Sequence, residues 1–181
     1  MKLDDRDVLV IGAGRVGAGK AALLIEAGAR VTMIARELVA ELPRGLASLE
    51  QREYRSGDLR GYTLVVSATG DATANDRIVE EARREHVWLN VVDDPARSDF
   101  YFTAVHRDGD VVVSVSTEGA SPALAQELRS MIKERLPDNL GDVARQLRRE
   151  RAELHASGSS TEGFDWRPRI HELLGDSEPS R

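Results

Sequence analysis

The stretch VLVIGAGRVGAGKAALLIEAGARVTMI, residues 8–34, decides the fold of this chain. An apolar strand-like run, a glycine-rich turn, an amphipathic helical pattern and a second apolar run follow one another in it without a break. This order is that of a βαβ unit, in which a helix connects two parallel strands. The stretch therefore predicts the start of a dinucleotide-binding fold, but it does not identify a reaction.

The glycines of this stretch form the sequence GAGRVG between the predicted strand and helix. In this motif the first glycine makes the tight turn, the second lets a pyrophosphate approach the backbone, and the third lets the helix pack closely on the strand. The phosphates then accept hydrogen bonds from N–H groups at the helix N-terminus. A glycine-rich turn that no longer binds a ligand is the structural alternative. The predicted cofactor contacts at this turn are Gly12, Gly14, Arg15, Val16 and Gly17.

The end of the second predicted strand leaves the type of dinucleotide open. Many NAD sites place Asp or Glu about 20 residues after the glycine motif, where the carboxylate binds the ribose hydroxyls. Here the strand ends at Arg36, and Glu37 follows. Arg36 either contacts the 2′-phosphate of NADP or covers the adenine, so both NAD and NADP fit the residues.

A third strand end lies in VVSATGDATAN, residues 65–75. Small residues in such a strand-to-helix loop allow the adenosine half of a cofactor to lie close to the backbone. We expect Thr69 and Gly70 to contact the cofactor and Asn75 to cap the next helix. The alternative is a polar loop without a ligand.

A fourth strand end, in WLNVVDDPARSDFYF at residues 88–102, carries the candidate chemistry. The strand delivers Asn90, Asp93 and Asp94 to the rim where the cofactor of a doubly wound fold lies. Asn90 is a candidate cofactor contact, and a carboxylate at this rim can accept a proton from a substrate. The alternative is that Asp93 and Asp94 are turn and cap residues before Pro95.

Composition limits the class of protein. The chain has 181 residues, a formal net charge of −6 and no cysteine. The acidic balance disfavours general nucleic-acid binding, and the absence of cysteine excludes disulfides and thiolate metal sites. The four histidines lack metal-ligand spacing, so we expect no resident metal. We expect neither a signal peptide nor a membrane span, and we expect a cytoplasmic protein.

The alternation of strand and helix patterns predicts an α/β fold with a Rossmann-type, doubly wound, mostly parallel sheet. After residue 116 the pattern becomes helical. Ser121 and Pro122 are typical of a helix start, and an apolar stripe with a four-residue spacing runs to Pro137. A charged helix over 139–155 and a short helix within 164–174 complete the prediction. The predicted strands are 8–11, 30–34, a weak one near 53, 64–68, 88–92 and 111–116. The helices predicted between these strands are 16–27 and 76–85. The apolar stripe consists of Leu124, Leu128, Ile132 and Leu136, with Met131 alongside.

Taken together, these motifs and VSVSTEGASPALAQELRSMIKERLP, residues 113–137, resemble the precorrin-2 dehydrogenase family, also called the siroheme synthase N-terminal domain. The resemblance covers about residues 8–140. It implies NAD bound in a Rossmann domain, oxidation of precorrin-2 to sirohydrochlorin, and a homodimer formed through about residues 115–137. It also implies that Asp93 is the catalytic aspartate of the family's N-V-x-D motif. The corresponding division is an NAD-binding domain over 1–113, a dimerisation segment over 114–138 and a C-terminal helical region over 139–181.

Two departures from the family and two alternatives accompany this resemblance. Thr117 stands where some fused relatives have a serine that is sometimes phosphorylated, and the large methyltransferase domain of the fused enzymes is absent, so we expect a separate methyltransferase to supply precorrin-2. Some relatives are also ferrochelatases, which makes Fe²⁺ a possible second substrate, with Asp93 and His106 as available groups. A nucleotide-sensing regulatory module is the alternative outside enzymes.

The substrate implied by the resemblance is a tetrapyrrole rimmed with carboxylates, which arginine and lysine bind through charge-assisted hydrogen bonds. A solvated helical face with internal ion pairs is the alternative, and it is the simpler explanation of the basic residues near the C-terminus. The candidate substrate contacts are Asp94, Thr117, Arg129, Lys133, Arg148 and Arg149.

Overall fold

The structure is a computed structural model that describes residues 2–39, 41–158, 160 and 162–175. It divides into two compact units, Met1–Tyr101 and Phe102–Arg181. Residues 176–181 of the predicted C-terminal region lie outside the described residues.

The first unit contains the predicted βαβ unit at the centre of a five-stranded sheet with the order β3-β2-β1-β4-β5. All four strand pairs in this sheet are parallel, and β1 pairs with both β2 and β4. The predicted Rossmann-type, doubly wound fold is therefore confirmed. Its elements are β1 (Asp7–Ala13), α1 (Arg15–Glu26), β2 (Arg30–Leu38), β3 (Ser48–Glu50), β4 (Leu64–Ser67), α2 (Ala72–Glu85), β5 (Trp88–Val91) and a 3₁₀ turn (Pro95–Arg97).

The sheet forms because its central strands are apolar on both faces. Leu9, Val10, Met33 and Val65 have no exposed side-chain surface. A parallel strand between helices is covered on both sides, so its sequence is a continuous apolar run without alternation. Burying a side chain of this size stabilises the fold by about 1.5–3 kcal/mol, and the burial holds the polar strand ends at one edge of the sheet.

Several boundaries in this unit differ from the sequence-based prediction. β2 continues to Leu38, beyond the predicted range 30–34. β3 lies at Ser48–Glu50 and not near residue 53, because the backbone turns away directly after Glu50. Helix α2 begins at Ala72, since the Asp71 side chain accepts a hydrogen bond from the Ala74 N–H at 3.1 Å. The prediction that Asn75 is the cap is therefore wrong. Asn75 is buried, and the Ser67 hydroxyl donates to its Oδ1 at 2.6 Å.

The second unit combines an antiparallel hairpin with three helices. The first strand of the hairpin was not predicted, and it pairs with β7 from Ala104↔Val115 to Asp108↔Val111. These two strands form a separate sheet, and the first compact unit ends at Tyr101. The division into an NAD-binding domain, a dimerisation segment and a C-terminal region stays a prediction. The elements are β6 (Ala104–Asp108), β7 (Val111–Val115), α3 (Pro122–Lys133), α4 (Leu140–Ala156) and α5 (Arg167–Leu174).

Helices α3, α4 and α5 follow the predicted order. Ser121 caps α3 by accepting a hydrogen bond from the Leu124 N–H at 3.2 Å, as its sequence predicts. The regular helix ends at Lys133, and tighter turns carry the chain on to Leu136. Helix α5 is joined to α4 by an ion pair between Arg169 and Glu150 at 2.6 Å. Within the described ranges, no helix has both the length and the apolar character needed to cross a membrane.

Candidate dinucleotide site

The glycine-rich turn lies between β1 and α1, and its glycines have two kinds of environment. A Cβ on Gly12 would lie 2.3 Å from the Ala68 carbonyl oxygen, and a Cβ on Gly17 would lie 2.1 Å from the Gly12 carbonyl oxygen. Neither distance is compatible with a side chain. By contrast, a Cβ on Gly14 would have no neighbour within 4 Å. Gly12 and Gly17 are thus required for packing, whereas Gly14 borders open space.

The start of α1 fits the phosphates of a dinucleotide. Gly14 is the N-cap, and it supplies no side-chain hydrogen bond to the first turn. The N–H groups of this turn therefore point toward the open space beside Gly14, where anions bind favourably at a helix N-terminus. Arg15 and Val16 are exposed at the same place.

A cleft of about 360 Å³ extends from this turn across the carboxyl ends of β1, β2 and β4. The strand order reverses at β1, and ligands of open α/β sheets bind at this topological switch point. The cleft includes predicted contacts from three separate strand ends. Residues that line the cleft include Gly12, Gly14, Arg36, Glu37, Glu53 and Thr69, together with Arg52, Tyr54 and Arg77.

The rim of the cleft at the end of β2 carries charges of both signs. The Arg36 guanidinium lies 3.5 Å from a carboxylate oxygen of Glu37 and 3.6 Å from one of Glu53. These side chains are mostly exposed, so the ion pairs contribute little to folding. Glu53 was not predicted as a site residue, because it lies after β3. Only the pairing of β3 with β2 brings it close to Arg36.

The rim at the end of β4 is a loop held by its own hydrogen bonds. The Thr69 hydroxyl oxygen accepts a hydrogen bond from the Asp71 N–H at 3.0 Å. Gly70 between them has a φ of +68°, which glycine adopts without strain. The loop therefore presents a narrow edge to the cleft, with the Thr69 side chain on its lining.

The wall formed by the segment after β3 depends on one buried carboxylate. Glu81 of α2 is 1% exposed, and it accepts hydrogen bonds from the Tyr54 hydroxyl at 2.6 Å and the Leu59 N–H at 3.0 Å. Burial raises the pKa of Glu81, but these hydrogen bonds and those from the Gly57 N–H outweigh it and hold the pKa below its usual value. Burial and the neighbouring Glu81 raise the pKa of Tyr54. Tyr54 therefore stays a neutral donor.

The residues predicted at the end of β5 fall into two groups. The Asn90 amide is buried and donates to the Phe100 carbonyl at 2.9 Å. Asp94 caps the 3₁₀ turn by accepting from the Arg97 N–H at 3.2 Å, and it pairs with the Arg97 guanidinium at 2.5 Å. Asp94 thus has the cap role weighed as an alternative, and Asn90 supports the backbone.

Asp93 differs from both, because its side chain is exposed directly after β5 in a left-handed backbone conformation with a φ of +60°. Such a φ is uncommon for a residue other than glycine, although Asp and Asn tolerate it best. The electrostatic neighbour is Lys20 of α1, a half-buried residue. Burial lowers the pKa of Lys20, and the charge of Asp93 opposes this effect. Lys20 was not predicted as a site residue. The only signal for it in the sequence is its position as a lysine among the mostly apolar residues at the start of α1.

The candidates in the second unit have local partners. The Thr117 hydroxyl accepts from the Ser121 N–H at 3.1 Å, and Arg148 pairs with Asp110 at 2.8 Å. Arg149 donates to Gln146 on the same helix. Arg129 donates to Gln126 at 3.1 Å, but its buried Nε has no hydrogen-bond partner within the described part of the chain. Lys133 is exposed in the last turn of α3.

No group of three or more His, Cys, Asp or Glu side chains in the described ranges is placed to hold a metal ion.

The parallel sheet, the glycine turn and the cleft at the switch point define a Rossmann-type dinucleotide-binding protein. A family model described as "Putative NAD(P)-binding" matches residues 1–104. The chain belongs to this NAD(P)-binding family, which confirms the predicted type of cofactor.

The chain is also similar to longer proteins named siroheme synthase. It is 40% identical over 149 residues to the protein of Methylococcus capsulatus, a match that covers 80% of this chain and 31% of that protein. It is 33% identical over 177 residues to the protein of Tolumonas auensis, covering 97% of this chain and 34% of that protein. The chain thus spans about a third of the length of these relatives.

The fold is similar to that of a solved structure named "SirC, precorrin-2 dehydrogenase". The TM-score is 0.70 with 22% sequence identity, and the match covers 97% of this chain and 86% of the other. At this identity the likeness concerns the fold. The sequence matches to the siroheme synthases confirm the predicted resemblance to that family.

Proposed function

We propose that this protein catalyses the NAD-dependent oxidation of precorrin-2 to sirohydrochlorin. The observation that carries the proposal is the exposed Asp93 carboxylate, which follows β5 at the same sheet edge as the dinucleotide cleft. The similarity to siroheme synthases and the fold likeness to a precorrin-2 dehydrogenase support the choice of substrate. This function is also the one that the family resemblance implies.

The proposed chemistry removes two electrons and two hydrogens from the tetrapyrrole. NAD, when bound, supplies the acceptor for a hydride and becomes NADH. The second hydrogen leaves the substrate as a proton, and Asp93 accepts it before releasing it to water. Lys20 places a positive charge near this carboxylate. The glycine turn and the cleft fix the cofactor, so the protein's main contribution is orientation.

Substrate binding in this proposal uses the cationic groups of the second unit. Arg129 and Lys133 are four residues apart on α3, so they lie on the same side of that helix. Among the described residues, no group accepts a hydrogen bond from the buried Nε of Arg129, so this side chain has an unused donor. Arg148 and Arg149 are further proposed contacts. There the substrate carboxylates would compete with Asp110 for Arg148 and with Gln146 for Arg149. Asp94 and Thr117 remain proposed substrate contacts with the structural roles given above.

We further propose that the protein is a homodimer through α3. Only Ala125 of this helix is buried, whereas Leu124 is 50% exposed and Met131 is 42% exposed. An exposed apolar stripe of this kind is typical of an interface between subunits. Since the proposed reaction consumes NAD, a cofactor of the cell interior, we propose the cytoplasm as its compartment.

The experiment is an anaerobic assay of the purified protein with enzymatically generated precorrin-2 and NAD, which follows NADH and tetrapyrrole absorbance. We expect Asp93→Asn to reduce turnover by about 100-fold or more, because general base catalysis contributes at least that factor. We expect the affinity for NAD to stay within about twofold, since asparagine also tolerates the left-handed conformation. Asp5→Asn, which removes an exposed carboxylate from another aspartate in the left-handed conformation, is the matched control and should leave turnover unchanged.

The same assay separates the alternatives. Turnover by Asp93→Asn equal to that of the wild type would remove the proposed role of Asp93. A metal-dependent change in absorbance above the protein-free rate would add Fe²⁺ as a second substrate and make the enzyme a ferrochelatase as well. Binding of NAD without any oxidation of precorrin-2 would favour the nucleotide-sensing module.

A further inference from the structure

We propose that Glu53, together with Glu37, makes the cleft select a dinucleotide with a free 2′-hydroxyl and reject one with a 2′-phosphate, because the two carboxylates occupy Arg36. This inference deepens the cofactor site of the proposed function and rests on it, but it does not depend on precorrin-2 being the substrate. The two carboxylates approach the Arg36 guanidinium at different nitrogens, Nε for Glu37 and Nη1 for Glu53. All three residues line the dinucleotide cleft.

Arg36 is the arginine of this cleft whose contacts are loosest. Arg52 is held by Asp58 at 2.7 Å and by Glu50 at 2.7 Å, and its exposed fraction is 25%. Arg77 lies over the ring of Tyr54, with 5.3 Å between its guanidinium carbon and the ring centroid. By contrast, the ion pairs of Arg36 are 3.5 and 3.6 Å long, and its side chain is 71% exposed. Among these three, Arg36 is therefore the side chain that can turn toward a phosphate.

Glu53 is held where it can compete for Arg36. The Arg52 guanidinium donates a hydrogen bond to the Glu53 carbonyl oxygen at 3.0 Å. Because Arg52 is itself fixed by two carboxylates, the Glu53 backbone is tied to the anchored segment after β3. The backbone of Glu53 is therefore anchored, while its exposed carboxylate contacts Arg36 near the end of β2.

The charges of these three residues favour NAD. Arg36, Glu37 and Glu53 together carry a net charge of −1, whereas a phosphate monoester carries about −1.5 to −2 at pH 7. A 2′-phosphate would therefore meet net repulsion and would have to displace carboxylates from Arg36. A ribose hydroxyl can instead donate a hydrogen bond to a carboxylate without displacing either one. Removing the charge of Glu53 leaves a neutral pair and frees one side of Arg36 for phosphate.

The test measures the dissociation constants of NADH and NADPH by their fluorescence, without any tetrapyrrole. We expect the wild type to bind NADH more tightly than NADPH. We expect Glu53→Gln to tighten NADPH binding by about tenfold at low salt while NADH changes by less than about twofold, because the variant frees one side of the Arg36 guanidinium to pair with the 2′-phosphate. The gain in NADPH affinity should shrink in 0.5 M salt, since Arg36 and the 2′-phosphate would interact at an exposed rim and the Debye length at that salt concentration is roughly 4 Å.

Two further variants assign the effect to Arg36. The double variant Arg36→Ala with Glu53→Gln should lose the gain in NADPH affinity. Glu80→Gln removes an equivalent charge from an exposed position of α2 outside the cleft, and it should leave the ratio of the two constants unchanged.

Three results would overturn the inference alone: an unchanged ratio in Glu53→Gln, equal or tighter binding of NADPH by the wild type, or a gain that persists without Arg36. Failure of the wild type to bind either nucleotide would overturn the inference and the dinucleotide site of the proposed function together. A wild type that binds NADH selectively but does not oxidise precorrin-2 would support the inference while contradicting the proposed reaction.

Discussion

At the scale of single residues, the glycine turn separates requirements for folding from requirements for binding. Gly17 lies in α1 against the Gly12 carbonyl, whereas Gly14 faces open space with an ordinary φ of −76°. The two positions are three residues apart, and the GAGRVG pattern assigns both to the same motif. Only the surroundings of each position distinguish a glycine that the fold needs from one that a ligand needs.

Alanine substitutions at these two positions should therefore have opposite consequences. We expect Gly17→Ala to reduce the free energy of unfolding by about 2 kcal/mol, because its methyl group overlaps backbone that cannot move away. We expect Gly14→Ala to change it by less than about 0.5 kcal/mol but to weaken NADH binding by about tenfold, since the methyl group would enter the space for the pyrophosphate. Urea unfolding and a fluorescence titration measure the two effects. Equal stability of the two variants would contradict this division.

At the scale of elements, Glu81 couples helix α2 to the segment after β3. Its carboxylate accepts from the Tyr54 hydroxyl and from the N–H groups of Gly57 and Leu59, which are more than twenty residues away in sequence. This contact shapes the wall of the cleft that carries Tyr54. The helical pattern of α2 gives no indication of it, because a glutamate in a helix is normally exposed.

The lowered pKa of Glu81 predicts a specific dependence of stability on pH. A depressed folded-state pKa contributes stability above the usual value of 4.5, and this contribution is lost as the pH falls through the folded-state pKa. We expect Glu81→Gln to cost about 2 kcal/mol at pH 7, because buried N–H donors lose a charged acceptor. The cost should decrease as the pH falls below 4.5 and should be smallest below the lowered folded-state pKa, where the folded wild-type carboxyl is protonated and is neutral like the glutamine.

Urea unfolding at several pH values measures this difference. Glu80→Gln on the exposed side of the same helix is the control, and its effect should stay within about 0.5 kcal/mol at every pH. A constant difference between Glu81→Gln and the wild type from pH 7 down to pH 3 would show that the hydrogen bonds to the ionised carboxylate are not the cause.

At the scale of the whole molecule, the apolar stripe of α3 is exposed in the single chain. Its four-residue spacing resembles that of a helix packed on a core, but Leu124, Leu128 and Ile132 are all at least 36% exposed. The helix lies on the hairpin of its own unit with Ala125 buried, which leaves the leucines for another surface. The proposed homodimer provides that surface.

A charge placed in the stripe should therefore change the oligomeric state. We expect the wild type to sediment as a dimer and Leu128→Asp to sediment as a monomer, because burying an unpaired carboxylate in an apolar interface is unfavourable. Leu23→Asp places the same charge on a similarly exposed leucine of α1, and it should remain a dimer. A monomeric wild type would contradict the proposed dimer. Dissociation of both variants would show that the effect is not specific to α3.

The sequence by itself determined the βαβ unit, the doubly wound class of the fold and the placement of Asp93 after an apolar strand. These features depend on short-range patterns, namely strand runs, glycine positions and helix periodicity, which local backbone geometry converts directly into structure. Only the tertiary structure decided that Glu53 meets Arg36, that Glu81 anchors the wall of the cleft and that Lys20 lies near Asp93. Each of these contacts joins residues that are far apart in the chain, and the packing of whole strands and helices brings them together.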